Sequence, residues 1–174
     1  MDQVKRCIIS RRSVRAYGPK KVERDDIIEI IQAATWAPSG NNLQPWKFSI
    51  VMNDEELLKQ LSALTIYQNW VKGAPCLIAV FLDTSVVDDS IANVYLKHVQ
   101  AIGAAIQNML LTAQELGLGT CWIGEILKNE DKVRDLLGVP NEYKLMAVIS
   151  VGYSSSENLK SSRKDVSESI INWL

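Results

Sequence analysis

The sequence predicts an α+β fold of about four strands and five or six helices, in one domain over residues 1–174. Three observations carry this prediction. The chain has 174 residues, of which 47% are hydrophobic and 22% charged, as in an ordinary soluble globular protein. Short apolar runs bounded by turn formers, which are typical of strands, alternate with segments of helical periodicity. No internal repeat and no linker divides the chain.

Each element follows from a local pattern of apolar residues and from the residues that start and stop it. Asp2, Asn53 and Asn129 are the expected helix caps, and Gly117 and Gly138 are the expected helix ends. In chain order, the sequence predicts helices over 2–10 and 25–35, a strand over 46–52, a helix over 54–61, a strand over 76–82, a helix over 89–116, an extended segment over 120–123, a helix over 130–137 and a strand over 143–151.

The helix predicted over 89–116 is the longest element. At 1.5 Å per residue it would extend for about 42 Å. A domain of this size has a diameter of about 35–40 Å. Because both flanks of the helix are rather apolar, we expect it to be central and partly covered by a second subunit.

Basic residues concentrate at the N-terminal end of the chain. Residues 1–24 hold eight basic side chains against two acidic ones, although the formal net charge of the whole chain is −1. This distribution suggests a local anion site, and a solvated charged surface is the alternative. Nucleic acid is a less favoured partner, because the pI is about 5.9 and Tyr17 is the one aromatic residue of the segment.

Several classes of protein are excluded by what the sequence lacks. No P-loop, no G-x-S-x-G elbow and no signal peptide is found, and no apolar run is long enough to cross a membrane. The segment from Gly117 resembles G-x-G-x-x-G, but Trp122 stands where a small residue is needed. The three cysteines show no paired spacing, which indicates reduced thiols in a cytoplasmic protein, and with one histidine they are too few for a zinc site.

The sequence also offers no clear catalytic side chain. His98, the single histidine, lies on the apolar face of the long helix and is interpreted as a buried residue. Cys121 is interpreted as an inert thiol, since no cationic partner is evident. A protein without a nucleophile, base or metal site is either not an enzyme or depends on a cofactor for its chemistry.

Three segments are suited to binding a phosphorylated heterocycle. In the segment 11–15, extended backbone would place Arg11, Ser13 and Arg15 on one side, where they could hold a phosphate, while Arg12 points elsewhere. The proline-bracketed segment 38–46 offers amide groups to the edge of a polar ring. The glycines around Trp122 would let backbone approach a flat ligand.

These segments, R-R-S-x-R, A-P-S-G-N-N-x-Q-P-W and G-L-G-T-C-W-I-G-E, resemble in this order the nitroreductase family of FMN-dependent oxidoreductases. The resemblance covers almost the whole chain. It implies a central mixed sheet flanked by helices, an intertwined homodimer and two FMN sites at the dimer interface. It further implies a cytoplasmic enzyme that takes hydride from NADH or NADPH and passes it to nitroaromatics, quinones or enones in a ping-pong cycle, without a catalytic side chain or metal.

The resemblance also assigns residues to the cofactor. Arg11 and Ser13 would hold the FMN phosphate with Arg12 beside them, and Arg15 would stabilise negative charge at the pyrimidine end of the ring. At the C-terminal end, Arg163 with Lys160 or Lys164 would return to the phosphate. The ring would be lined by Gln68, by Cys121, Trp122, Ile123 and Gly124, and by Pro38, Ser39, Asn41, Asn42 and Gln44 of the other subunit.

Three alternatives stay open at the level of sequence. The same scaffold could carry another chemistry, either dehalogenation or fragmentation of the flavin. The protein could also bind flavin for storage or sensing without turnover. A phosphate- or nucleic-acid-binding module built on the arginines would leave the segment 38–46 unexplained.

Overall fold

One four-stranded sheet organises the computed structural model, which describes residues 3–88, 90, 93–156 and 159–174. Its strands are β1 (Trp46–Met52), β2 (Cys76–Asp83), β3 (Gly119–Ile123) and β4 (Tyr143–Gly152), in the spatial order β1-β2-β4-β3. Each of the three strand pairings is antiparallel. The mixed character implied by the resemblance is confined, in the described part of the chain, to a parallel bridge between Ser13 and Thr120.

Six α-helices accompany the sheet in the described residues, and α4 was not expected from the sequence. They are α1 (Gln3–Ser10), α2 (Arg24–Thr35), α3 (Glu55–Ser62), α4 (Gln68–Val71), α5 (Val94–Glu115) and α6 (Glu130–Leu137). Single 3-10 turns lie at 40–42, 84–86, 125–129 and 166–169. The helices α2 and α5 cover one face of the sheet, and α3 and α6 cover the other.

The central strand β2 shows why the sheet is covered on both faces. All its eight residues are buried. Because successive side chains of a strand point to opposite faces, Ile78 and Val80 pack with α2 and α5, whereas Leu77 and Phe81 pack on the other side. A continuous apolar run is the expected signature of a strand that is buried on both faces.

The long helix is shorter than predicted. It begins at Val94, directly after Asn93, which has a left-handed φ of 59°. The predicted residues Asp89 and Ile91 lie outside the described residues. With 22 residues α5 extends for about 33 Å, so the argument that its length requires a second subunit does not hold. Its end agrees with prediction, since Gly117 follows the last turn with a φ of 76°.

Two of the expected helix caps differ in the structure. The cap of α3 is Asp54, whose carboxylate accepts a hydrogen bond from the Leu57 amide at 2.9 Å, and not Asn53. Asn129 precedes α6 as predicted, but its side-chain amide donates to the Leu64 carbonyl and does not cap the helix. The cap assigned to Asp2 lies outside the described residues.

Candidate functional site

A cavity at the N-terminal basic segment brings together residues from both ends of the chain. Residues 11–15 run extended beside β3, where the Val14 amide donates to the Thr120 carbonyl at 2.9 Å. The cavity measures about 260 Å³. It is called the cationic cavity below, and its lining residues are Arg11, Arg12, Ser13, Arg15, Leu159, Lys160, Ser161 and Arg163.

The cationic cavity fits a phosphate group. Five of its lining residues carry a positive charge and two carry a hydroxyl, while no carboxylate belongs to the lining formed by the described residues. Guanidinium groups and hydroxyls are the side chains that hold phosphate oxygens best. Sequence reasoning had brought Arg11, Ser13 and Arg15 to one side, and Lys160 and Arg163, which the resemblance had assigned to the phosphate, line the same cavity. Lys164, the other C-terminal cation considered, pairs with Glu168 at 3.7 Å.

Arg12 lies at the border of this cavity. It also lines a neighbouring cavity with Val14, so it points only partly away from the other arginines. One terminal nitrogen donates to the carbonyls of Ile9 at 2.6 Å and Arg11 at 2.8 Å. Its Nε is buried and has no hydrogen-bond partner among the described residues. A buried donor of this kind is expected where a ligand supplies the missing acceptor.

A second cavity, of about 230 Å³, shares Arg15 with the first, because that residue belongs to both linings. It is called the aromatic cavity below, and its lining residues are Arg15, Tyr67, Trp70, Cys121, Trp122, Ile123, Gly124 and Glu125. The rings of Tyr67 and Trp70 lie 5.9 Å apart. The four consecutive residues 121–124 that the resemblance had assigned to a flat ring therefore line one cavity together with the aromatic side chains of Tyr67 and Trp70.

Gln68 is not among the residues that line the aromatic cavity, and its contact with a ring stays a prediction. Its side chain is exposed and lies outside the lining of the aromatic cavity. The neighbouring residues Tyr67 and Trp70 line the cavity instead. Sequence reasoning chose the polar residue of this segment, while the walls of the cavity are aromatic.

The Cys121 thiol lies close to the arginine cluster. Burial raises its pKa, against the opposing effects of Arg15 and Ser13 nearby. The interpretation as an unreactive thiol therefore holds for a different reason. A cationic partner is present, but desolvation of the thiolate outweighs it.

The segment 38–44 lies apart from both cavities within one chain. Its Asn41, Asn42 and Gln44 are exposed, and all three have a left-handed φ, of 54°, 56° and 50°. The Gly40 backbone packs against the side chain of Lys97, near the start of α5, whereas Gln114 near the end of α5 borders the cavity next to Arg12. These two ends of α5 are about 25 Å apart. A single chain thus does not bring this segment to the arginines.

Comparison with known proteins agrees with this geometry. The model of the nitroreductase family matches residues 8–76 and 62–153. The chain belongs to the nitroreductase family. An Archaeoglobus fulgidus protein with the provisional name NADH dehydrogenase/NAD(P)H nitroreductase is 35% identical over 90% of this chain and 88% of its own. An iodotyrosine deiodinase from Thermotoga neapolitana is 29% identical over 90% of this chain and 91% of its own.

A solved structure shares the nitroreductase fold with this chain over its whole length. It is a provisionally named nitroreductase from Desulfovibrio desulfuricans in complex with FMN, at 34% identity and a TM-score of 0.91. It matches 100% of this chain and 98% of its own. Among the described residues of this chain, no helix combines the length and the apolar character needed to cross a bilayer.

Tyr17 is a residue near both cavities that sequence reasoning did not assign to the site. Its hydroxyl lies 3.0 Å from the Val14 carbonyl and 2.7 Å from the buried Ser150 Oγ, which in turn donates to the Cys121 carbonyl at 3.4 Å. Burial raises the pKa of Tyr17 far above its ordinary value, so the hydroxyl keeps its proton. It fixes the backbone between Ser13 and Arg15. The signal available in the sequence was that Tyr17 follows Arg15 by two residues, which places the two side chains on one side of an extended segment.

Proposed function

We propose that residues 1–174 form one FMN-binding domain of an NAD(P)H oxidoreductase that reduces electron-poor acceptors such as nitroaromatics, quinones or enones. When bound, FMN would supply the redox chemistry, taking hydride from NADH or NADPH and passing it to the acceptor. The observation that carries the proposal is that Arg15 lines both a cationic and an aromatic cavity. Together they match a ligand with a phosphate at one end and a flat ring at the other.

The protein's own groups bind and orient in this proposal. Arg11, Ser13 and Arg163 hold the phosphate, and the buried Nε of Arg12 gains an acceptor. Arg15 places a positive charge beside the ring, where it favours the electron-rich state of the ring. The indole of Trp122 and the backbone of Ile123 provide a surface from which water is excluded.

A homodimer would complete the site. The segment 38–44 lies near the start of α5, whereas Gln114 near the end of α5 borders the cavity next to Arg12, so two chains with antiparallel α5 helices would bring the segment of one towards the arginines of the other. Exposed apolar side chains support an interface, since Ile171 is 97% and Trp173 88% exposed. Pro38, Ser39, Asn41, Asn42 and Gln44 would then line the ring. The three free cysteines are consistent with a cytoplasmic location.

The test is reconstitution of the purified chain with FMN. We expect a yellow protein with the mass of a dimer, bleaching by NADH or NADPH without oxygen, and return of the colour when a nitroaromatic or quinone is added. Absorbance spectra and light scattering measure these outcomes. A protein that takes up no FMN would refute the proposal. One that is bleached but transfers nothing to any acceptor would favour the storage or sensing role.

Dehalogenation is the second candidate, because of the similarity to the iodotyrosine deiodinase. Halide release from an iodinated phenol by the reduced protein would favour it. The same preparation and the same reductant serve for both assays, so the relative rates with a nitroaromatic and an iodophenol decide between the two functions.

A further inference from the structure

The carboxylate of Glu125 ties together two segments that are distant in sequence and that both border the aromatic cavity. Its Oε2 accepts hydrogen bonds from the Thr65 hydroxyl at 2.7 Å and from the Ile66 amide at 3.1 Å. Glu125 itself follows Gly124 at the end of β3 and lines the cavity.

The connection continues from Thr65 to Tyr67 and Trp70, which form the aromatic wall of the cavity. The Thr65 hydroxyl oxygen accepts from the Tyr67 amide at 3.2 Å, and the Tyr67 carbonyl accepts from the Trp70 amide at 3.1 Å. An unbroken chain of hydrogen bonds therefore leads from Glu125 to the backbone of both wall residues. Thr65 is only 4% exposed, so water does not readily replace its partner.

Two further contacts involve residues of the 3-10 turn 125–129 to which Glu125 belongs. Lys128 forms an ion pair with Glu125, and the Asn129 side chain donates to the Leu64 carbonyl at 2.7 Å. The 3-10 turn 125–129 is thus connected to residues 64–66 by three hydrogen bonds, two to Glu125 and one from Asn129. The side chain of Lys128 is about half exposed, so its pairing contributes little, and the hydrogen bonds of the Glu125 oxygen carry the connection.

We propose that Glu125 is a positioning residue that sets the distance between the Tyr67–Trp70 wall and the strand residues 121–124, and thereby the affinity of the aromatic cavity for a flat ring. It acts through the loop 64–67 and is not a catalytic residue. The inference rests on the proposed function only for the identity of the ring, which would be the FMN ring.

The experiment compares three variants at one position. In Glu125→Gln the amide oxygen still accepts both hydrogen bonds. Glu125→Ala removes the acceptor, and Glu125→Asp withdraws it by one methylene. We expect amide exchange at Ile66 in the apoprotein to rise about tenfold or more in the Ala and Asp variants and to stay near the original value in the Gln variant. The fluorine signal of 5-fluorotryptophan at Trp70 should shift in the same two variants.

The ring affinity is then measured by titration of each apoprotein with FMN. We expect the dissociation constant to rise roughly tenfold in Glu125→Ala and Glu125→Asp and less than about threefold in Glu125→Gln. Glu130→Ala is the matched control. Glu130 also accepts a backbone amide, that of Leu145 at 3.1 Å, and pairs with Arg134, but it does not line the aromatic cavity.

Each outcome decides the inference. It is overturned if Glu125→Ala leaves the Ile66 exchange and the Trp70 signal unchanged, if it alters both without weakening FMN, or if Glu125→Gln is as impaired as Glu125→Ala. If the unsubstituted protein binds no FMN, the proposed function fails, while the exchange and fluorine measurements still decide whether Glu125 positions the wall.

Discussion

Replacement of Arg11 by alanine tests the cationic cavity most directly. Arg11 is half-buried and lines the cavity with Ser13 and Arg163. A hydrogen bond to a charged group contributes about 1.5–3 kcal/mol. Loss of one such bond to the phosphate would raise the dissociation constant of FMN about 10- to 150-fold.

Riboflavin, which has the same ring but no phosphate, separates the two ends of the ligand. We expect Arg11→Ala to leave its affinity unchanged while FMN binding weakens. Arg11→Lys keeps the charge but loses the planar fork of donors, so its effect on FMN should be intermediate. Quenching of flavin fluorescence during titration of the apoprotein measures all of these constants at fixed ionic strength.

Arg24→Ala is the matched control for this experiment. Arg24 carries the same charge in the same basic segment, but it is exposed at the start of α2 and does not line the cationic cavity. We expect its FMN affinity to match that of the unsubstituted protein. Equal FMN affinity of Arg11→Ala and the unsubstituted protein, or an equal loss of riboflavin and FMN affinity, would show that the phosphate lies elsewhere.

Three further experiments test packing, backbone strain and burial. In Gly119→Ala the new Cβ would lie 2.5 Å from Val14 Cγ2, so thermal denaturation should show a loss of about 1–3 kcal/mol, whereas Gly124→Ala, with open space around it, should leave the apoprotein's melting temperature unchanged. Asn42→Gly relieves a left-handed φ of 56° and should raise the apoprotein's melting temperature while weakening FMN; a lower melting temperature would contradict the strain argument. Burial lowers the pKa of His98, so the unfolded chain binds the proton more tightly and stability should fall as the pH drops below about 6.5; melting curves of His98→Leu should lack this decline.

Patterns within a single segment predicted much of the fold. The strand over 46–52 and the end of the long helix at Gly117 agree with the structure, because an apolar run and a C-terminal glycine are local signals. The start of the long helix does not agree. It depends on the left-handed backbone of Asn93, and nothing in the apolar pattern of the sequence marks that change of conformation.

The site was predictable where one short segment forms it and unpredictable where segments meet. The arginines of residues 11–15 line the cationic cavity together, and residues 121–124 line the aromatic cavity together, because the members of each set are close in sequence. The proposed position of the aromatic wall at Tyr67 and Trp70 depends on Glu125, about sixty residues away. The sequence around Glu125 does not indicate which residues its carboxylate binds. Contacts of this kind depend on the packing of α3 and α6 around the sheet.

The position of Arg15 between the two cavities limits how the protein can be retuned. If FMN binds as proposed, a substitution of Arg15 that changes the electron affinity of the flavin would also change how the phosphate is held, so the retention and the redox potential of the cofactor would vary together in any library built at this position. Glu125, by contrast, lines the aromatic cavity and does not line the cationic one. Changes at Glu125 are therefore the route by which an engineer could adjust the hold on the ring and leave the hold on the phosphate unchanged.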